Sequence, residues 1–227
     1  MIRSIVARAR APFLATSALF VAFAAFAGDP WNGCDFSAGV SCPGMKISIC
    51  PGGDFEAVGK GCGGSEDYIW IEVRDAYLRP IAGIPATDYW IGSCSGSTPL
   101  FLCAPPLVAD SATGSNGRTT ISGNISAGGC VPAGGIWIAV AGITVMDPAC
   151  NGQPLCLPVV VKGPDLTGPR GHPDGVVNLS DLIPFGMGYN KDAADPAFNP
   201  CCDYNDDARC NLSDFTLFSV HYQHACR

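Results

Sequence analysis

A cation-binding loop is indicated by the types and spacing of residues near the end of the chain. Side-chain oxygens stand at the first, third, fifth, ninth and twelfth positions of one stretch, in Asp203, Asn205, Asp207, Asn211 and Asp214. Arg209, at the seventh position, would contribute its backbone carbonyl. Alternate residues of a tight loop point inward, and the twelfth closes the shell from the first turn of a helix. Because Ca²⁺ takes about six to eight oxygen ligands, this spacing predicts a calcium site.

A second, less regular copy of the pattern lies upstream. The segment Asn178-Leu179-Ser180-Asp181 recurs as Asn211-Leu212-Ser213-Asp214, and Asp174, Phe185 and Tyr189 match Asp207, Phe218 and Tyr222 at the same offset. The candidate ligands of this first copy are Asp165, Thr167, Asp174, Val176 through its carbonyl, Asn178 and Asp181. Asp165 and Asp174 are nine residues apart, whereas Asp203 and Asp207 are four apart. Either the first loop bulges and still uses Asp165 and Thr167, or its site is weaker or empty.

A short amphipathic helix is predicted after each loop, and none before it. Leu212, Phe215, Phe218 and Tyr222 recur at a spacing of three to four residues and predict one apolar face. The first helix is weakened by Pro184 and two glycines. A loop that is followed but not preceded by a helix, used twice and ending in Asp, resembles the dockerin family. The resemblance extends from about residue 164 to residue 226.

This resemblance implies that residues 164–227 form a small, α-helical, calcium-binding module whose two halves pack together. It also implies docking to a cohesin-like receptor protein and two calcium ions, with the second loop as the more regular site. The chain departs from the family pattern at Ala208, where glycine is usual, and at Cys210, where an aliphatic residue is usual. Asp214 replaces the Glu that is common at the twelfth position of EF-hand loops.

Residues 1–27 have the order of a secretory signal. Arg3, Arg8 and Arg10 precede an apolar run over residues 11–26, and Ala25-Phe26-Ala27 offers small residues for cleavage. We therefore predict cleavage after Ala27, a secreted protein outside the cell or on its surface, and no transmembrane segment afterwards. Removing those three arginines leaves ten Lys and Arg against twenty Asp and Glu, a formal charge of −10. That balance argues against nucleic acid or an anionic membrane as a partner.

Thirteen cysteines follow the signal, and an oxidising compartment makes disulfide bonds their default state. Because the number is odd, one thiol is left over, pairs between molecules or carries another modification. We expect the four C-terminal cysteines to pair within their own module. Cys226 would bond Cys201 or Cys202, and the other of these two would bond Cys210.

Residues 28–163 are predicted to form a disulfide-rich antiparallel β-sandwich, so that the chain is mainly β. In residues 68–74, Ile69, Ile71 and Val73 alternate with polar or aromatic residues, which is typical of a half-buried strand. Further strands are predicted over residues 46–50, 119–125, 136–140 and 157–161, with Gly-containing turns between them. Residues 73–85 and 115–120 resemble bacterial immunoglobulin-like repeats of the invasin type. That resemblance implies an Ig-like fold and nothing about chemistry.

No arrangement typical of an enzyme stands out, and an enzyme is not expected. Residues 92–96 mimic a nucleophile elbow, but the central residue is Cys94, for which a turn in a disulfide-rich region is the simpler interpretation. His221 and His224 could share a helix face, but two ligands are too few for a zinc site. The acids of the first region, including Glu72, are expected near turns or on exposed faces.

We therefore predict a secreted, non-catalytic binding or structural protein that its calcium-dependent module attaches to a cell-surface or extracellular assembly. Two alternatives stay open. Tyr68 and Trp70 share one strand face, where a carbohydrate-binding module of a polysaccharide-degrading system could present a stacking platform, although strand packing also favours aromatic residues. The other alternative is self-assembly as a subunit of an extracellular fibre, joined through the odd cysteine or an exposed edge strand.

Overall fold

The computed structural model describes residues 32–52, 67–95, 99–104 and 107–226. The predicted signal and its cleavage site lie outside these residues. Within them the chain is mainly β, with several sheets, two short helices and several disulfides, which confirms the predicted fold class at this level. None of the described helices has the length and apolar character needed to cross a membrane.

The strands are β1 (Phe36–Val40), β2 (Lys46–Cys50), β3 (Ile69–Val73), β4 (Tyr89–Ser93), β5 (Phe101–Leu102), β6 (Arg118–Ile121), β7 (Ile125–Gly128), β8 (Ile136–Val140), β9 (Ile143–Thr144), β10 (Val160–Lys162), β11 (Lys191–Asp192) and β12 (Arg209–Cys210). The helices are α1 (Leu179–Gly188) and α2 (Leu212–Val220).

The first sheet joins β1, β3 and β6 in that order, with antiparallel pairs throughout. The alternation predicted for β3 is confirmed, because Ile69, Ile71 and Val73 are all buried. Trp70 points to the other side and lies over Gly39 of β1, so that a Cβ atom added there would come within 2.5 Å of the indole ring. Trp70 thus covers backbone that a glycine leaves open.

Glu72 does not lie on an exposed face as predicted. Its side chain is buried, and Arg74 and Arg118 both form ion pairs with its carboxylate. The two arginines come from the end of β3 and from the neighbouring strand β6, so strand pairing brings both charges to one acid. A single-strand pattern does not reveal such cross-strand partners.

The second sheet has the order β10, β2, β7 and β5. Here β2 runs parallel to both β10 and β7, and only β7 and β5 are antiparallel. The prediction of an antiparallel arrangement throughout is therefore wrong for this sheet. Hydrophobic alternation specifies which face of a strand is buried, but it does not specify the direction of the neighbouring strand. The segment predicted as one strand over residues 119–125 also divides into β6 and β7, which belong to different sheets.

The third sheet joins β4, β8 and β9 with antiparallel pairs. It repeats the pairing of tryptophan with glycine, because Trp137 of β8 lies over Gly92 of β4. The apolar faces of the three sheets share one core that includes Ile49, Ile71 and Ile138. This arrangement is compatible with the predicted sandwich, and its Ig-like character stays a prediction.

The C-terminal region has a small core of its own. It contains Val177, Phe185, Tyr204 and Phe218, the disulfide-bonded Cys202 and Cys210, and Cys50, which arrives from the end of β2. Phe185 and Phe218, which match in the repeat, stack with ring centroids 5.7 Å apart. The remaining apolar face predicted for α2 is not buried in this way, because Leu212, Phe215 and Tyr222 are exposed.

The disulfide bonds differ from the expected pairing. Only Cys202–Cys210 lies within the C-terminal region, whereas Cys103–Cys226 and Cys130–Cys201 join it to the first region. The prediction that all four C-terminal cysteines pair among themselves is therefore wrong. Sequence spacing placed Cys226 near the second loop, but the chain end instead runs beside residues 175–177, where Cys226 N donates to the Gly175 carbonyl at 2.8 Å. Cys34–Cys150 and Cys94–Cys156 lie within the first region.

Candidate calcium site

The second loop brings together carboxylates that the sequence placed at its first, fifth and twelfth positions. Oxygens of Asp203, Asp207 and Asp214 all lie within 4.8 Å of one another. Asp203 and Asp214 are buried, and Asp207 is exposed. Like charges this close destabilise the loop unless a cation lies between them.

Backbone hydrogen bonds fix the two buried acids of this loop. Asp214 Oδ1 accepts from Tyr204 N at 2.7 Å and Asn205 N at 3.2 Å, and its Oδ2 accepts from Asn211 N at 2.9 Å. Asp203 accepts from Asp207 N and Ala208 N, at 3.1 and 3.2 Å. The twelfth residue is thus tied to the second, third and ninth positions, and the first residue to the fifth and sixth.

The same network recurs in the first loop despite its extra residues. Asp181 Oδ1 accepts from Leu166 N at 2.7 Å and Thr167 N at 2.8 Å, and its Oδ2 accepts from Asn178 N at 2.8 Å. Asp165 accepts from Asp174 N at 3.2 Å and Gly175 N at 2.8 Å. Residues 168–173 therefore loop out, and Asp165 and Thr167 keep the first and third positions.

The seventh residue of each loop donates its backbone N–H to the acid at the fifth position, from Val176 N to Asp174 Oδ1 at 3.2 Å and from Arg209 N to Asp207 Oδ1 at 2.9 Å. The Val176 carbonyl also accepts from Asn178 Nδ2 at 3.1 Å. Asn205 and Asn211 both donate a side-chain N–H to Asp207 Oδ2, each at 3.2 Å. Among the described residues, the first loop has no group of three acids as close as the one in the second. Calcium ligation by either loop stays a prediction.

Burial and mutual repulsion shift the proton affinity of the loop acids. Burial, with a smaller contribution from the neighbouring Asp181 and Asp174 carboxylates, raises the pKa of Asp165 to about 7 against the opposing hydrogen bonds from backbone N–H groups. Burial also raises the pKa of Asp181 and the pKa of Asp203. A cation bound among these carboxylates would favour the charged forms that burial disfavours.

Two lysines that sequence reasoning missed attach the second loop to the second sheet. Lys162 of β10 is buried, donates to the Asp203 carbonyl, and has its Nζ 3.6 Å from Asp203 Oδ2. It also pairs with Asp206, whose other oxygen is 2.6 Å from Lys46 Nζ of β2. These bonds hold the loop against the second sheet. No spacing within the sequence connects residues 46, 162 and 206, so only the fold reveals this contact.

The helices that follow the loops expose a stripe of apolar side chains. On α1, Leu179, Ile183 and Met187 are four residues apart and are each at least 65% exposed. On α2, Leu212 and Val220 are 65% and 62% exposed, at positions that match Leu179 and Met187 in the repeat. Exposed apolar side chains in a row are typical of a surface that binds another protein.

The sequence features weighed as catalytic do not form an active site among the described residues. Cys94 is bonded to Cys156, so it carries no nucleophilic thiol. The acid Glu72 is held by two arginines rather than by a second carboxylate.

The two aromatic residues considered for carbohydrate binding, Tyr68 and Trp70, line an open groove with Ser111, Arg118, Thr119 and Thr120.

No protein-family model matches the chain, and no curated protein matches it in sequence. Solved structures that match include two of an Acetivibrio cellulolyticus type II Cohesin-X-Dockerin complex, a C-terminal and an N-terminal interface mutant. In each case the sequence identity is 17%, the match covers 84% of this chain and 97% of that chain, and the TM-score is 0.29. A TM-score of 0.29 does not indicate a common fold, so a functional assignment depends on the residues of the chain itself.

Proposed function

We propose that this is a secreted, non-catalytic binding protein whose C-terminal region is a dockerin-like, calcium-dependent attachment module. The observation that carries the proposal is the repeated carboxylate network of Asp165 and Asp181 in one loop, and of Asp203 and Asp214 in the other. Each network ties a twelfth-position acid to the start of its loop, and in the second loop it brings oxygens of three acids within 4.8 Å of one another. Ca²⁺ is the common cation that such an all-oxygen site suits best.

The partner is a cohesin-like receptor protein, bound through the exposed stripe of α1 and α2. Its apolar residues recur at matching positions of the two helices, so the module offers two related contact surfaces. Calcium acts by holding each loop closed at the start of its helix, where Asp181 and Asp214 also complete the capping boxes. Loss of calcium would therefore disorder the surface that the receptor contacts.

Hydrogen exchange of the secreted protein, with Ca²⁺ and with a chelator, tests the calcium part of the proposal. We expect amides of the two loops and of the helix starts that follow them to lose protection in the chelator, while those of the three sheets keep theirs. The remainder of residues 164–226 should change less, because Cys103–Cys226 and Cys130–Cys201 join this region to the first one. Equal protection of both loops in the two conditions would show that they are acidic turns.

Capture by an immobilised cohesin tests the partner. The wild-type protein should be captured only in calcium, and the Met187→Asp variant should be captured less.

A carbohydrate-binding role is the second candidate, and the Tyr68 and Trp70 groove favours it. Trp70 covers Gly39, so its ring is already used in packing, while Tyr68 is 38% exposed. A glycan array distinguishes this role, because a Tyr68→Ala variant should lose binding that a chelator leaves unchanged. The fibre alternative is less favoured at Cys50, because this side chain is fully buried and cannot reach a second molecule.

A further inference from the structure

Three metal-binding atoms outside the acidic loops converge where the second sheet meets the end of α2. The Cys50 sulfur is 3.8 Å from Nδ1 of His221 and 3.5 Å from Nδ1 of His224. The two Nδ1 atoms are 3.3 Å apart. Cys50 and His221 are buried, and His224 is half-buried. Two histidines alone are too few ligands for a zinc site, and the fold adds Cys50, which is 171 residues from His221 in the sequence.

This triangle has the size that a tetrahedral zinc site presents. With Zn–S bonds of about 2.3 Å and Zn–N bonds of about 2.05 Å, tetrahedral angles place two nitrogens about 3.3 Å apart and sulfur about 3.6 Å from each nitrogen. The observed separations are 3.3 Å between nitrogens and 3.5 and 3.8 Å to sulfur. One ion can therefore reach all three atoms where they lie.

Hydrogen bonding among these three side chains explains the close approach of their sulfur and nitrogen atoms less well than a bound metal ion does. Each Nδ1 carries either one proton or one lone pair, so it can bond one partner along one direction. Here each Nδ1 has two polar neighbours within 3.8 Å, the sulfur and the other ring nitrogen. A cation at the centre satisfies both lone pairs and the sulfur at once.

We propose that Cys50, His221 and His224 bind one zinc ion, with a water molecule in the fourth position. Thiolate and imidazole ligands favour zinc, whereas the oxygen ligands of the two acidic loops favour calcium. On binding, the Cys50 thiol releases its proton to solvent, and the two imidazoles bind as neutral rings through Nδ1. The ion joins the end of β2 to the residues that follow α2.

Neighbouring bonds hold the ligands in place before a metal arrives. Cys50 is the last residue of β2, an interior strand of its sheet. His221 caps α2, and the His224 carbonyl accepts from Val177 N at 2.8 Å. Cys226, two residues further on, is bonded to Cys103. A site whose ligands are fixed by a strand, a helix end and a disulfide needs little reorganisation on binding.

Cobalt(II) titration of the full secreted protein, with its disulfides intact and with saturating Ca²⁺, tests this site. Thiolate-bound, tetrahedral Co²⁺ gives a charge-transfer band and strong visible absorption. We expect one equivalent of Co²⁺ to produce both signals, zinc to abolish them, and additional Ca²⁺ to leave them unchanged. Absence of both signals from the wild-type protein would overturn the proposal.

Variants assign the signals to these ligands. His224→Ala removes a half-buried ligand and should weaken Co²⁺ binding by about 100-fold or more, since loss of even an outer-shell partner costs about 10–100-fold. His172→Ala, at the exposed third histidine of the chain, is the matched control and should bind normally. Signals that persist with wild-type strength in His224→Ala would contradict the assignment.

Discussion

Replacing Asp207 by asparagine should have opposite effects with and without calcium. Asp207 is the exposed member of the three-acid cluster, within 4.8 Å of Asp203 and Asp214. At that distance Coulomb's law gives about 1 kcal/mol of repulsion for each pair in water. The substitution removes two such pairs, and its one remaining oxygen can accept from Asn205 and Asn211 only if the bond from Arg209 N is lost, at a cost of about 1 kcal/mol. Without calcium, Asp207→Asn should therefore be as stable as the wild-type loop or up to about 1 kcal/mol more stable.

With calcium, the same substitution should destabilise the loop, because a charged ligand is lost. A decrease in calcium affinity of about 10-fold removes about 1.4 kcal/mol of the stabilisation that saturating calcium provides. Amide exchange of residues 203–214 in calcium and in chelator measures both effects in one protein. Asp195→Asn is the matched control, since Asp195 lies in the same region, is partly exposed, and pairs with Lys191 outside the loops.

The reasoning fails if Asp207→Asn loses equal protection in both conditions. That outcome would mean that Asp207 acts as an acceptor for loop hydrogen bonds and not as a calcium ligand.

Three other outcomes are expected. Asp214→Ala and Asp181→Ala each remove an acceptor of three backbone N–H bonds, so both should cost about 3 kcal/mol or more even in chelator. In calcium, Asp214→Ala should lower the free energy of unfolding more than Asp181→Ala does. Urea unfolding of both variants, in calcium and in chelator, would show the difference. Replacing Cys103 and Cys226 together by serine opens a link between residues 123 apart and should cost about 4 kcal/mol by the same measurement. For Glu72, burial raises the carboxyl pKa, but hydrogen bonds from Arg118 and Arg74 outweigh it and hold that pKa below the usual 4.5. The Glu72 carboxylate therefore contributes its full stabilisation above pH 4.5, and this stabilisation is lost as the pH falls through the lower pKa of the folded state. The stability difference between wild type and Glu72→Gln should accordingly shrink in acid.

The close approach of the acids in the second loop was predictable because it is local. Ligand positions, caps and helix starts all lie within about a dozen residues of each other, and the spacing of Asp203, Asp207 and Asp214 reflects that geometry directly. The residues at the start of the first loop also suggested that Asp165 corresponds to Asp203, and the backbone hydrogen bonds to Asp165 agree with that correspondence. Whether the first loop binds calcium stays a prediction.

Contacts between distant segments were not predictable from spacing. Lys162 contacts Asp206, Cys50 contacts His224, and Cys226 bonds Cys103, and in each case one partner belongs to the second sheet or directly follows one of its strands. Each partner alone looked ordinary: a polar strand end, an odd cysteine and a terminal cysteine. Sequence periodicity records which side of a strand faces apolar neighbours, and it contains no information about which distant chain segment supplies a polar one.

The crossed disulfides have a consequence for how the protein matures. Cys103 and Cys130 can form their native bonds only with Cys226 and Cys201. In the secreted protein that we propose, Cys103 and Cys130 would cross the membrane before their partners do. Oxidation of these two cysteines would therefore have to wait for residues 201 and 226, or be reversed by thiol–disulfide exchange if they paired wrongly first.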